Sequence, residues 1–177
     1  MTGASRRLGP LPGWAVVALL LTALLGLAGD VRAAEWGTIV PGESTREAVQ
    51  ARFGAATGAA TQKVEGYDAV QWIYEGTRAP AGMKRMVVDF GLLTPAGYRG
   101  DIVRALRLEP KPGIFTRALV LAGWGRPSGR TPEGQVPPTF FYESGLLVSF
   151  DKAGEDAQAL VFTPPQPPVA APGGGRP

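Results

Sequence analysis

Neither cysteine nor histidine occurs among the 177 residues. Without cysteine there is no disulfide framework, no thiol nucleophile, no thiolate metal site and no lipid-modified N-terminal cysteine. Without histidine the commonest general base, the Ser-His-Asp triad and the usual zinc ligand sets go as well. Charged residues are also scarce, at 19%, and no block of five Lys/Arg appears, so nothing concentrates a field for nucleic acid. What is abundant is glycine (25) and proline (17). They gather in gaps between apolar segments, where loops tolerate changes of length. The composition points to binding more than to catalysis, with no metal and no cofactor expected.

Arg6 and Arg7 precede an apolar run over residues 14–28, which Gly29, Asp30 and Val31-Arg32-Ala33 follow. Small residues at the minus-three and minus-one positions read as a Sec-type signal peptide over residues 1–33, cleaved after Ala33. The run is shorter than the roughly 20 apolar residues that cross a bilayer, which favours cleavage over retention as an anchor. A membrane contact is therefore expected only through an uncleaved leader, and the location is periplasmic or secreted. Gly9 and Pro10 after Ser5-Arg6-Arg7 argue against a twin-arginine signal. Removing residues 1–33 takes three arginines and one aspartate, so the net charge falls from +3 to +1. A nearly neutral mature chain of one domain's length remains.

Within it the sequence repeats. Residues 41–54 (PGESTREAVQARFG) lie over residues 112–125 (PGIFTRALVLAGWG) without a gap. Trp72-Ile73-Tyr74-Glu75 then matches Phe140-Phe141-Tyr142-Glu143, Val87-Val88-Asp89-Phe90 matches Leu147-Val148-Ser149-Phe150, and residues 105–110 match residues 159–164. Each unit reads as a helix and three strands. Ser44 and Glu47 form a capping box, Ala48, Val49 and Phe53 recur at helical spacing, and Gly54 ends the helix. Leu119, Val120 and Trp124 before Gly125 supply the same stripe in the second unit. The expected fold class is α+β: two tandem helix-plus-three-strand repeats, residues 34–110 and 111–163, sharing one antiparallel sheet with the helices packed on one face. Residues 164–177, rich in Pro and Gly, are expected as a disordered tail.

Period-two alternation assigns faces to the strands. Trp72, Tyr74, Met86, Val88, Phe90, Leu106 and Leu108 turn toward the helices, with Phe140, Tyr142, Leu146, Val148, Phe150, Leu160 and Phe162 as their second-unit counterparts. The other face carries Gln71, Ile73, Arg85, Val87, Asp89 and Arg107, then Phe141, Leu147, Ser149 and Val161. Its second half is more apolar than a solvated surface needs to be.

The pattern of Pro-Gly, a short helix ending in aromatic-Gly, a W-x-Y strand and a V-x-F strand resembles the SmpA/OmlA (BamE-like) domain of bacterial envelope proteins. In tandem it is similar to the two-unit architecture of the β-lactamase inhibitory proteins. Gly42, Val49, Phe53, Gly54, Trp72 and Tyr74 carry the match in one unit, and Gly113, Val120, Trp124, Gly125, Pro127, Phe140 and Tyr142 in the other. Two departures stand out: no cysteine follows the leader for a lipid anchor, and Ala56 replaces the proline found as Pro127. The resemblance implies a non-enzymatic module that binds other proteins, an envelope assembly or inhibitor-like factor.

The surface expected to meet a protein partner is the sheet face and its loops, through Ile73, Arg85, Asp89, Tyr98, Arg107 and Phe141. Phe141 is the anchor, an aromatic ring directed away from the helices. Two other readings compete. A small envelope hydrolase could use paired carboxylates such as Asp89 and Asp151, and a structural envelope protein could use its tail as a spacer. The segment 151–156 (DKAGED) lacks calcium-loop spacing and reads as a polar hairpin turn.

Overall fold

The computed structural model describes residues 33–165. The proposed leader, up to residue 32, and the tail from residue 166 lie outside the described residues. The elements are α1 (Arg46–Phe53), β1 (Gly58–Val64), β2 (Tyr67–Glu75), a 3-10 turn (Gly76–Arg78), β3 (Met83–Thr94), β4 (Gly97–Pro110), α2 (Arg117–Trp124), β5 (Gly129–Arg130), β6 (Thr139–Phe141), β7 (Leu146–Phe150) and β8 (Ala157–Phe162). All eight strands join one antiparallel sheet in the order β1-β2-β3-β4-β8-β7-β6-β5.

This overturns the expectation of two helix-plus-three-strand repeats with helices layered on a sheet face. The body is the eight-stranded sheet itself, and the helices are two short elements of eight residues each. Each buries one side chain completely, Val49 in α1 and Val120 in α2, while Leu119 of the expected apolar stripe is 53% exposed. Four strands follow each helix. The strand missing from the sequence reading is β1, whose first six residues are exposed, so its composition shows no alternation. In the second half its place is taken by the two residues of β5.

Local chemistry explains where the helices begin and end. Thr45 caps α1, its hydroxyl accepting from the Ala48 amide at 3.4 Å, and Thr116 caps α2 by accepting from Leu119 at 3.3 Å. Ser44, the expected cap, lies one residue early and accepts from the Val40 amide at 2.9 Å instead. Gly54 and Gly125 close the two helices, both at φ 75°. A tyrosine ties down each of these ends, Tyr74 from β2 and Tyr142 from the turn just after β6. The Tyr74 hydroxyl donates to the Gly54 carbonyl at 3.1 Å, and the Tyr142 hydroxyl donates to that of Gly125 at 3.2 Å. Burial pushes both phenol pKa values above the ordinary tyrosine range.

The core lies on the face that carries Tyr74, Met86, Val88, Phe90, Leu106, Leu108, Leu146, Val148, Phe150, Leu160 and Phe162, each at most 2% exposed. Aromatic rings close its two ends. Trp72 meets Phe90 edge-on at 4.9 Å, and Phe140 meets Phe150 in the same manner at 4.9 Å. Around the centre, Trp36, Phe115, Trp124 and Phe162 form a connected set with centroids 5.8 to 6.5 Å apart.

The β3-β4 hairpin is the longest in the sheet and shifts register on either side of Phe90. Gly91 sits there at φ 97°, and a Cβ on it would collide with the Tyr98 phenol. Tyr98 fills that space, stacks on Tyr67 at 4.3 Å and donates from its hydroxyl to the Asp68 carbonyl at 2.8 Å. Gly91→Ala should therefore displace Tyr98 and cost about 2 kcal/mol, from the positive φ and the lost stack. Thermal melting and the near-ultraviolet circular dichroism of the tyrosine pair would register it. An unchanged tyrosine signal would show that the pair does not depend on the glycine.

Candidate functional interface

Cross-strand register places one side chain from each of the six inner strands in a continuous row. Ile73 pairs with Val87, Val87 with Arg107, Arg107 with Val161, Val161 with Leu147, and Leu147 with Phe141. Gly58 and Gly129 end the row on the outer strands. These positions alternate with the core positions, so the row lies on the face turned away from the core. At the usual strand spacing it covers about 24 Å from Ile73 to Phe141.

The row is apolar except at its centre. Ile73, Leu147 and Val161 are half-buried, Val87 is buried and Phe141 is 38% exposed. Arg107 interrupts them and lies 3.6 Å from the Glu109 carboxylate. Charged pairs flank it on the first half of the sheet. Arg85 is opposite both Glu75 and Glu109 in register, 3.9 Å from the Glu75 carboxylate. Asp89 accepts from the Gln71 amide at 2.8 Å and has the Arg104 guanidinium at 4.0 Å. On the second half the flanking positions are Ala159, Ser149 and Thr139, with the Thr139 and Ser149 hydroxyls 3.1 Å apart. The surface is therefore an apolar stripe with a charged border at one end and a hydroxyl border at the other. Each exposed ion pair adds only about 0 to 1 kcal/mol of stability, so the border serves orientation more than folding.

Of the residues expected to meet a partner, the structure brings Ile73, Arg107 and Phe141 into the row and sets Arg85 and Asp89 beside it. Tyr98 is not among them. It lies toward the turn of the β3-β4 hairpin, packed on Tyr67 and over Gly91. Val87, Val161 and Leu147 complete the row and were not selected from the sequence. Alternation marks them as sharing the face, but only the register shows that they stand side by side.

The paired carboxylates do not converge. Asp151 lines a cavity of about 360 Å³ with Glu109 and Asp156, whereas Asp89 lies in the strand surface between Gln71 and Arg104. The Asp151 carboxylate accepts from the amides of Glu155 and Asp156 at 2.9 and 3.4 Å, the geometry of a polar turn. Among the described residues no group of three His, Cys, Asp or Glu is arranged to hold a metal ion. No helix among the described residues is long and apolar enough to cross a membrane.

No family model matches the chain, and no curated protein does. Among solved structures, a DUF4309 family protein (YjgB) from Bacillus subtilis subsp. subtilis str. 168 is similar over 83% of this chain and 97% of its own, at 12% sequence identity and a TM-score of 0.47.

Proposed function

We propose that this chain is an exported, non-enzymatic protein-binding module, working in the periplasm or outside the cell, that engages a protein partner through the face of the sheet opposite its core. The observation that supports this is the row Ile73, Val87, Arg107, Val161, Leu147 and Phe141. A row of this length with its two borders approaches the roughly 800 Å² that each side of a standard interface buries. An aromatic anchor at one end and an arginine at the centre are the residue types that dominate such interfaces. Export rests on the leader pattern before residue 34, and the module reading agrees with the envelope-domain resemblance.

Photo-crosslinking in the native envelope tests it. A crosslinker at position 161 in the row should give one discrete protein adduct, and one at the exposed Leu119 on α2 should give none. Phe141→Asp should reduce the position-161 adduct at least about tenfold, the behaviour of an interface anchor. Its melting temperature should stay within about 3 °C of the parent, because the side chain is part-exposed on a short strand. Equal adducts from both positions, or an unfolded Phe141→Asp protein, would overturn the assignment.

A further inference from the structure

Ten arginines lie among the described residues, and seven have a polar partner. Arg46, for example, donates to the Gly100 carbonyl at 3.0 Å, and Arg104 faces Asp89. The same holds for the arginines at 52, 78, 85, 99 and 107. Arg117, Arg126 and Arg130 have neither a hydrogen bond nor an ion pair among the described residues. These three are also brought together. A cavity of about 330 Å³ between α2, β5 and the loop before β6 is lined by Arg117 and Arg130, and an adjoining one of about 530 Å³ is lined by Arg117, Arg126 and Arg130. Phe140 belongs to both walls, so the cavities form one groove.

The charge is concentrated there on a body that is neutral as a whole. Arg6, Arg7, Arg32, Arg176 and Asp30 lie outside residues 33–165, so the chain's +3 falls to zero over the described part. Glu133 is the one acidic residue lining the groove. Arg117 is held in place, its guanidinium 5.1 Å from the centroid of the Phe140 ring, which leaves its edge N–H groups for a ligand. It is also the first residue of α2, where the helix dipole already favours negative charge.

From this we propose that the groove binds an extended acidic peptide segment. Planar guanidinium groups pair with carboxylates bidentately. Leu121, Pro127 and Pro132 supply apolar wall between the arginines, which suits a chain alternating acidic and apolar residues better than a compact inorganic anion. The site is separate from the sheet-face row. Phe140 is on the core face and Phe141, the next residue, on the opposite one.

Fluorescence anisotropy with a labelled peptide of alternating Glu and Leu, and its Gln-for-Glu counterpart, tests the proposal on the purified protein. The acidic peptide should bind and the glutamine version should bind at least about tenfold more weakly. Combined Arg117→Gln, Arg126→Gln and Arg130→Gln should remove the binding. Arg126→Gln with Arg130→Gln, both at exposed sites, should weaken it about tenfold with an unchanged melting curve. Phe141→Asp should leave it intact, so failure here and failure of the sheet-face interface are read separately. Equal binding of both peptides, equal binding by the double variant, or capture of a single-stranded oligonucleotide in preference to the peptide would each overturn it.

Discussion

Phe162→Ala should lower stability by about 3 to 5 kcal/mol and the melting temperature by about 10 °C or more. The side chain is fully buried in β8, where it pairs with Leu106 on one side and Leu146 on the other. Its ring meets Trp36 and Trp124, each at 6.5 Å, so truncation opens a cavity against two tryptophans from separate segments. Large rings leave voids that their neighbours cannot refill without losing their own edge contacts. The position is also mechanical. Only three register pairs join β4 to β8, Leu106 with Phe162, Arg107 with Val161 and Leu108 with Leu160, and these hold the two halves of the sheet together. Leu119→Ala, at a site 53% exposed, is the matched control and should change stability by no more than about 0.5 kcal/mol. Chemical denaturation of both variants measures the difference. A Phe162→Ala loss below about 1 kcal/mol would mean that the seam repacks freely and that the aromatic set is not what holds the halves together.

That seam also marks the limit of what could be read in the residues alone. Alternation in β2, β3, β4, β7 and β8 assigned the buried side chains well, because a half-buried strand carries its faces in its sequence: Tyr74, Met86, Val88, Phe90, Leu106, Val148, Phe150 and Phe162 are all interior. The helix ends were legible too, since Gly54 and Gly125 adopt a positive φ that other residues resist. The architecture was not. A seven-residue outer strand exposed along nearly its whole length, GAATQKV, has no hydrophobic period to betray it, and two residues of β5 are below any pattern. The stripe Leu119, Val120 and Trp124 implies a helix layered on the sheet, yet the helix has eight residues, buries Val120 completely and leaves Leu119 exposed.

The candidate sites divide in the same way. Ile73, Arg107 and Phe141 could be placed on one face by counting in twos, but their alignment with Val87, Val161 and Leu147 depends on which strands neighbour one another, and the adjacency of β4 and β8 is a tertiary fact. Tyr98 stands apart from the row, because its ring lies over Gly91 and stacks on Tyr67 near the β3-β4 turn, a placement that depends on a glycine seven residues away and not on strand alternation. The arginine groove left no trace in the sequence, since Arg117, Arg126 and Arg130 are scattered across a helix, a loop and a strand, and what distinguishes them is the absence of partners that the other arginines have.

Gly145→Ala should cost about 3 to 4 kcal/mol, far more than an alanine in an ordinary turn, and should loosen the end of β8 selectively. Gly145 is a buried residue at φ 90° in the turn from β6 to β7, its amide donating to the Tyr142 carbonyl at 3.0 Å. Its own carbonyl accepts from both the amide and the hydroxyl of Thr163, at 2.9 and 3.0 Å. A Cβ on this residue would collide with the carbonyl oxygens of Thr163 and Pro164, backbone atoms that cannot swing aside as a side chain can. The alanine therefore carries about 1 kcal/mol for its backbone conformation and, in addition, forces Thr163 and Pro164 away at about 1 kcal/mol for each hydrogen bond given up. Gly66→Ala separates these contributions, because Gly66 has φ 86° in the β1-β2 turn and open space within 4 Å, so it should lose only the conformational part. Amide hydrogen exchange then reports the location: protection at Thr163 should collapse in Gly145→Ala while protection at Val88 and Leu106, in the middle of β3 and β4, falls only with the global stability. Equal costs for the two alanines would show that the chain after β8 yields without resistance, and that the contacts of Thr163 do not fasten it to the sheet.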